Sequence, residues 1–394
     1  KIYINVGAHV KWSDRLTAAV DKFCEHYNAL VLCEHISNYR GKYGIYPALL
    51  VNQDGLYLQL RQADVMIHIG TITGFGSGAS IRAKETWRVH PDGEVRDTYR
   101  TLTKVFEMEE VDFFEHYEVL GKEREITYFN EFHMACETLE RKVAELPFSN
   151  PWIAKNTVMR LPKDCELHLG ILNTLRSWTL FTIEHSKNIE IYSNTGGYGI
   201  DGLVSTLLGA SLVNPQKIYF GIIGDLAFFY DMNAIGNRHV GNNIRLMVIN
   251  NGKGTEFRNY NHPAAQFGED ADLYMAAAGH YGRQSRELLK HYAQDLGFMY
   301  LKAEDKDEYL KQAELFFASD LKNQPILFEV FTNSQSESDA LKMLFNLDNS
   351  AGKAAKTVVK NVLGEKGVAK IKRIINKGYI NQYRIFMFMV VSII

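Results

Sequence analysis

Short apolar runs alternate with longer amphipathic stretches along most of this chain. Near the start, KIYINVG (1–7), ALVLCEH (29–35) and DVMIHIG (64–70) have the length and branched aliphatic content of buried strands. Residues 14–27 between the first two carry apolar side chains at helical spacing, with Ser13 placed as the N-cap. The alternation returns further on: ELHLG (166–170), IEIYSN (189–194), KIYFGIIGD (217–225), IRLMVIN (244–250), FMYLKA (298–303) and PILFEVF (325–331) read as strands. Segments of helical period lie between them at 173–184, 201–212, 228–240, 285–296 and 307–320. Strands joined by crossover helices form parallel sheets with helices on both faces. The expected fold is α/β, with two doubly wound parallel-sheet domains at 1–147 and 151–340, divided near Pro147 to Pro151, and a basic helical C-terminal tail at 341–394.

The tail differs in kind from the rest. Residues 353–377 hold eight Lys or Arg against one acid, Glu365, with Val, Leu and Ile at helical spacing. The pattern reads as a solvated helix packed through its aliphatic stripe; the alternative is contact with an anionic surface, either another subunit or a membrane face. The final apolar run, 385–394, is too short to span a bilayer.

Composition narrows the class without deciding it. The chain has 394 residues, 46% hydrophobic and 23% charged, as ordinary globular proteins do, and its net charge of −2 carries no footprint of nucleic-acid binding. Cysteines 24, 33, 136 and 165 form neither a C-x-x-C pair nor a zinc spacing, and read as reduced thiols of a cytoplasmic protein. A strand-like run begins at Lys1 itself with no signal peptide ahead of it, so further sequence upstream is expected.

The chemistry concentrates between residues 224 and 254, GDLAFFYDMNAIGNRHVGNNIRLMVINNGKG. An apolar strand ends in Gly224-Asp225, a helix of about four turns is expected next, and a second apolar strand ends in Asn250-Asn251-Gly252. Two neighbouring parallel strands would then deliver a carboxylate and a carboxamide to one sheet edge. Mg²⁺ takes oxygen ligands in octahedral array and commonly shares them with phosphates. Asp225, Asn251 and the carbonyl of Lys253 offer three such oxygens at a single negative charge. The N–H groups of Leu226 and Ala227, at the start of the helix, favour an anion, and Gly224 permits its close approach. Gly252 and Gly254 are expected to let the backbone bend at Lys253. An ordinary crossover whose Asp caps a helix would explain Asp225 but leaves Asn250-Asn251-Gly252 without a reason.

This arrangement resembles the thiamine diphosphate motif, G-D-x followed some two dozen residues later by N-N. The flanks resemble one family of these enzymes more closely, the menaquinone-pathway synthases of 2-succinyl-5-enolpyruvyl-6-hydroxy-3-cyclohexene-1-carboxylate. YSNTGGYGIDGLVSTLLG (192–209), Gly224-Asp225-Leu226 and Asp231-Met232-Asn233 look like that family's sequence, and so, more loosely, do Ile36 to Arg40 and Ala63 to Gly70. The resemblance covers about residues 1–340. It implies a middle domain at 1–147 and a diphosphate-binding domain at 151–340. It puts Mg²⁺ on Asp225, Asn251 and Lys253, and thiamine diphosphate against Gly224, Leu226, Ala227, Ile200 and Phe257. Arg176 matches the family's arginine for a substrate carboxylate, a job suited to a bidentate guanidinium; a surface ion pair is the plainer reading.

Departures accompany the match. Thr195 stands where the family has arginine, Leu172 where it has serine, and Phe75-Gly76 where it has Lys-Arg. Fewer cationic contacts imply a less anionic acceptor, with Arg82 or Lys84 as candidates to compensate. The implied reaction is decarboxylation of a 2-oxo acid with transfer of the acyl carbanion to an acceptor. A simple 2-oxo-acid decarboxylase and a non-catalytic thiamine diphosphate-binding subunit are the alternatives. No catalytic residue is assigned within the chain, because the family's acid–base Glu belongs to a pyrimidine-binding domain that precedes the middle domain. A homodimer or homotetramer is expected. Gly74 to Gly78 falls short of a dinucleotide fingerprint. Residues 256–272 look like a lid over the site; His262 within it is better read as a solvated loop residue than as a proton carrier. His133, His168, His185 and His239 read as structural.

Overall fold

The computed structural model describes residues 1–9, 12–53, 57–73, 80–197, 199–272 and 285–347. The basic tail at 353–377, the apolar end at 385–394 and the loop at 74–78 lie outside them.

Two six-stranded sheets carry the fold. The first contains β1 (Ile2–Val6), β2 (Ala29–Leu32), β3 (Gly44–Ile45), β4 (Gln62–Ile69), β5 (Arg82–Val89) and β6 (Leu102–Phe106) in the order β3-β2-β1-β4-β5-β6. The second contains β7 (Glu166–Leu169), β8 (Glu190–Tyr192), β9 (Tyr219–Gly224), β10 (Ile244–Asn250), β11 (Met299–Ala303) and β12 (Ile326–Phe331) in the order β11-β12-β10-β9-β7-β8. Neighbouring strands within both sheets are parallel. Helices cover both faces, as the alternating pattern requires.

Burial on two faces explains the continuous apolar character of the central strands. Along β10, Leu246 and Val248 pack with Leu203, Leu207 and Phe298 on one side, while Met247 and Ile249 enter a different cluster on the other. That second cluster runs on through Trp178 and Trp152 to Tyr3, Leu30 and Met66 of the first sheet. The far face of the first sheet is closed by the helices Asp14–Tyr27 and Glu110–Leu120 over Ile4, Val6, Val31 and Ile67. Ser13 caps the first of these, its hydroxyl accepting from the Leu16 N–H at 3.0 Å.

Polar ties hold the two sheets in register. Asn38 sits at φ 52°, a left-handed conformation that Asn tolerates better than most residues. Its side chain donates to the Ile191 carbonyl at 2.9 Å and accepts from the Ile191 N–H at 3.0 Å, pairing with edge strand β8 as another strand would. His35 contacts the Trp178 carbonyl at 2.8 Å, and Gln53 donates to the Leu344 carbonyl at 2.8 Å. Asn38→Ala strands both Ile191 groups, so a loss of about 1–3 kcal/mol is expected. Urea unfolding checks it: the midpoint should fall while the m-value stays constant.

Two expectations need correction. The crossover between β9 and β10 is not a four-turn helix over 228–240; it is a six-residue α-helix, Asp225–Tyr230, followed by a 3₁₀ turn, Met232–Gly236. Asp231, Asn233, Gly236 and Asn237 are weak helix formers, and the Asp231 side chain is engaged elsewhere. The helix expected over 173–184 stops at Thr179, whose hydroxyl donates back to the Leu175 carbonyl at 2.7 Å. Strands β3, β5 and β6 had no sequence signal. β5 reads RAKETWRV, with an exposed or half-exposed first half, and β6 lies at the sheet edge.

Candidate active site

β9 and β10 are hydrogen-bonded neighbours with Gly224 opposite Ile249. Asp225 and Asn250-Asn251 therefore leave the sheet at the same carboxyl edge, where open α/β sheets gather ligands. Gly224, extended at φ −74°, is the N-cap, and Asp225, Leu226 and Ala227 form the first turn of the helix.

Asp225 is 1% exposed. Its Oδ2 has no hydrogen-bond partner among the described residues. Burial pushes its pKa up to about 7, while the N–H groups of Leu226, Asn251 and Gly252 draw it back. A buried carboxylate with an orphaned oxygen is costly unless a cation meets it. The donor set of acid, carboxamide and backbone carbonyls suits Mg²⁺, so these residues fit the metal that the motif implies.

The two asparagines divide their work. Asn250 turns inward, donating to Glu329 Oε1 at 2.7 Å, while the Tyr300 hydroxyl donates to Glu329 Oε2 at 2.6 Å. Asn251 stays at the tip, its amide donating to Thr255 Oγ1 at 3.3 Å. Gly252, at φ +75°, supplies the turn that follows; Gly254 is at φ −74° and needs no glycine freedom, contrary to expectation. The Lys253 ammonium pairs with Asp272 at 2.6 Å.

The remaining candidates lie on flanking elements. Ile200 is half-buried in the bend before the helix Leu203–Ser211. That helix has Gly202 as N-cap and so lacks a capping side chain of its own. Asp231 provides the cap from the β9–β10 crossover, accepting from the Ser205 N–H at 2.7 Å and the Ser205 hydroxyl at 2.6 Å. Phe257 stands edge-on to His262, ring centroids 5.2 Å apart. Arg176 is held by Glu256 in an ion pair. It rides on the helix Asn173–Thr179, which starts from Leu172 at φ 64°, a strained backbone for a leucine costing about 1–3 kcal/mol.

Several partners escaped the sequence. Glu337 is fully buried behind the tips, accepting from the Asn150 N–H at 2.8 Å and the Thr332 hydroxyl at 2.7 Å. Burial pushes its pKa up to about 7, with the nearby Asp225 charge adding to the rise. Nothing in the polar run 334–339 marks it. His262 caps the turn Pro263–Ala271, its Nδ1 accepting from the Ala264 N–H at 3.1 Å. His168 is buried against Glu166 at 2.9 Å. Lys84 pairs with Asp64 at 2.6 Å near the start of β4 and β5. Among the described residues no group of three or more His, Cys, Asp or Glu forms a metal cluster, and no helix is long and apolar enough to cross a membrane.

Comparison with known proteins gives the same direction as the motifs. No family model matches the chain. Curated relatives do. A 2-succinyl-5-enolpyruvyl-6-hydroxy-3-cyclohexene-1-carboxylate synthase of Bacteroides fragilis is 33% identical over 260 residues, 66% of this chain and 44% of that protein. The synthase of the same name from Phocaeicola vulgatus is 32% identical over 263 residues, 67% of this chain and 45% of its own length. That of Flavobacterium johnsoniae is 30% identical over 255 residues, 63% and 43% respectively. The chain thus spans less than half the length of the curated relatives it matches.

Proposed function

We propose that this chain, a homologue of the 2-succinyl-5-enolpyruvyl-6-hydroxy-3-cyclohexene-1-carboxylate synthases, serves a Mg²⁺- and thiamine diphosphate-dependent decarboxylation of a 2-oxo acid, with the acyl carbanion passed to an acceptor. The observation that carries the reading is the buried, unpartnered Asp225 oxygen at paired strand tips that also present Asn251. Asp225, Asn251 and the Lys253 carbonyl would hold the metal. Gly224 and the N–H groups of Leu226 and Ala227 would face the diphosphate, with Ile200 and Phe257 as walls. When bound, the cofactor supplies the electron sink that lets CO₂ depart.

This chain's own residues position, shield and neutralise. Asp225 brings the negative charge that draws the cation in, and the Asn250–Glu329–Tyr300 network fixes the turn that aims Asn251. In this reading residues 1–147 are the middle domain and 151–340 the diphosphate domain. The acid–base carboxylate comes from sequence outside these 394 residues, and the assembly is a cytoplasmic homodimer or homotetramer. Thermal unfolding tests it. Millimolar thiamine diphosphate with Mg²⁺ should raise the midpoint by several degrees, and either component alone should not. Protection by ATP or NAD and none by thiamine diphosphate would favour a plain nucleotide-binding protein instead.

A further inference from the structure

Beside the strand tips lies a cleft of about 360 Å³, bordered by Asn173, Arg176, Glu256, Asn259, Asn261 and His262 over an apolar floor that includes Leu180 and Phe345. A chain of hydrogen bonds joins it to the tip. Asn251 donates to Thr255 Oγ1 at 3.3 Å. With its amide nitrogen turned toward Glu256, Asn173 accepts from Thr255 Oγ1 at 2.6 Å and donates to Glu256 Oε2 at 2.8 Å. Arg176 grips the other oxygen, Glu256 Oε1. The Glu256 side chain is 18% exposed and that of Arg176 46%, so the acid is the withdrawn partner while the guanidinium still meets water and is screened by it.

The lining charges therefore cancel. What remains is a set of carboxamides and hydroxyls, and one of them is half-filled: Asn259 is 6% exposed, one end of its buried carboxamide faces the Asn173 nitrogen at 3.3 Å, and the other end has no partner among the described residues. A second carboxylate entering here would meet the Glu256 charge and would have to break its bond to Arg176. An uncharged hydrogen-bonding group pays neither cost.

We infer that this cleft takes an uncharged, hydrogen-bonding group, amide- or polyol-like, and that Glu256 sets the preference by occupying Arg176. The binding preference stands on the cleft alone; that its occupant is the acceptor substrate rests on the functional reading above. Succinamide and succinate, equal in shape and different in charge, are the probes, titrated into the full chain and read by chemical-shift perturbation. Succinamide should bind about tenfold more tightly than succinate, the scale of one charge-assisted hydrogen bond. Glu256→Gln should bring succinate to parity or better, and Arg176→Met in that background should remove the gain. Wild-type protein that binds succinate as well as succinamide, or binds neither, overturns the inference without any variant. Thermal shifts with thiamine diphosphate and Mg²⁺ on the same samples separate the two claims. A lost shift with the preference intact sinks the cofactor reading alone, and a kept shift without preference sinks the cleft alone.

Discussion

Asp225→Asn is expected to abolish the Mg²⁺-dependent thermal protection by thiamine diphosphate while leaving the ion-free fold at least as stable as wild type. The substitution keeps the shape of the side chain and removes its charge. At the strand tips Asp225 is the one side chain proposed for the metal that carries a negative charge; Asn251 and the Lys253 carbonyl are neutral donors. Mg²⁺ surrenders its water reluctantly and needs that charge. The ion-free protein loses nothing comparable, because the carboxylate is buried with one oxygen unpartnered and an amide is cheaper to bury. A midpoint rise in Asp225→Asn equal to that of wild type, under the same ligand and metal, would remove the metal from this edge of the sheet. Asn251→Ala should be milder, a weakening of about 10–100-fold, since it deletes a neutral donor.

The second large effect is at Glu34, far in sequence from that edge. Its side chain is 6% exposed at the end of β2, and its Oε2 accepts from the Thr73 hydroxyl at 3.0 Å. Burial pushes its pKa up to about 8, with the Thr73 bond opposing the rise. The folded value lies above the unfolded one, so the folded state keeps a proton that the unfolded chain releases. The stability linked to that proton is complete below about pH 4.5 and drains away as pH climbs toward 8. Glu34→Gln removes the titration and keeps an acceptor for Thr73. It should match wild type near pH 4 and exceed it by about 4–5 kcal/mol near pH 8.5, at 1.36 kcal/mol for each pKa unit. Urea unfolding of both proteins across that range gives the difference directly, and the difference cancels the parallel contributions of Asp225 and Glu337. A constant gap at every pH would place the effect in packing instead of charge.

The fold was legible where burial is two-sided. β9 and β10 are long apolar runs because helices cover both faces, and their tips were located to within a residue or two from the chain alone. β5 and β6 were silent because half-exposed faces mix Arg, Lys, Glu and Thr with Trp and Val, so period-two patterning dissolves. The site divides similarly. Asp225 and Asn251 announce themselves because strand ends in register impose a spacing on the sequence. Glu256, Glu329 and Glu337 do not, because what defines them is contact across 79 to 187 residues of chain, as in the bonds of Asn250 to Glu329 and of Asn150 to Glu337. The family resemblance offered Arg176 for a substrate carboxylate; the residue does border the cleft, but no motif showed that an acid of the same chain already holds it.

Asp231 gives the mouth of the site a mechanical property. Its carboxylate belongs to the segment leaving β9, yet the groups it satisfies belong to the segment arriving from β8. The two segments are thus tied to each other, and neither moves away without uncapping a helix. A ligand docking at the Asp225 tip in the proposed manner would meet flanks already fixed by folding, so little of its binding energy would go to ordering them.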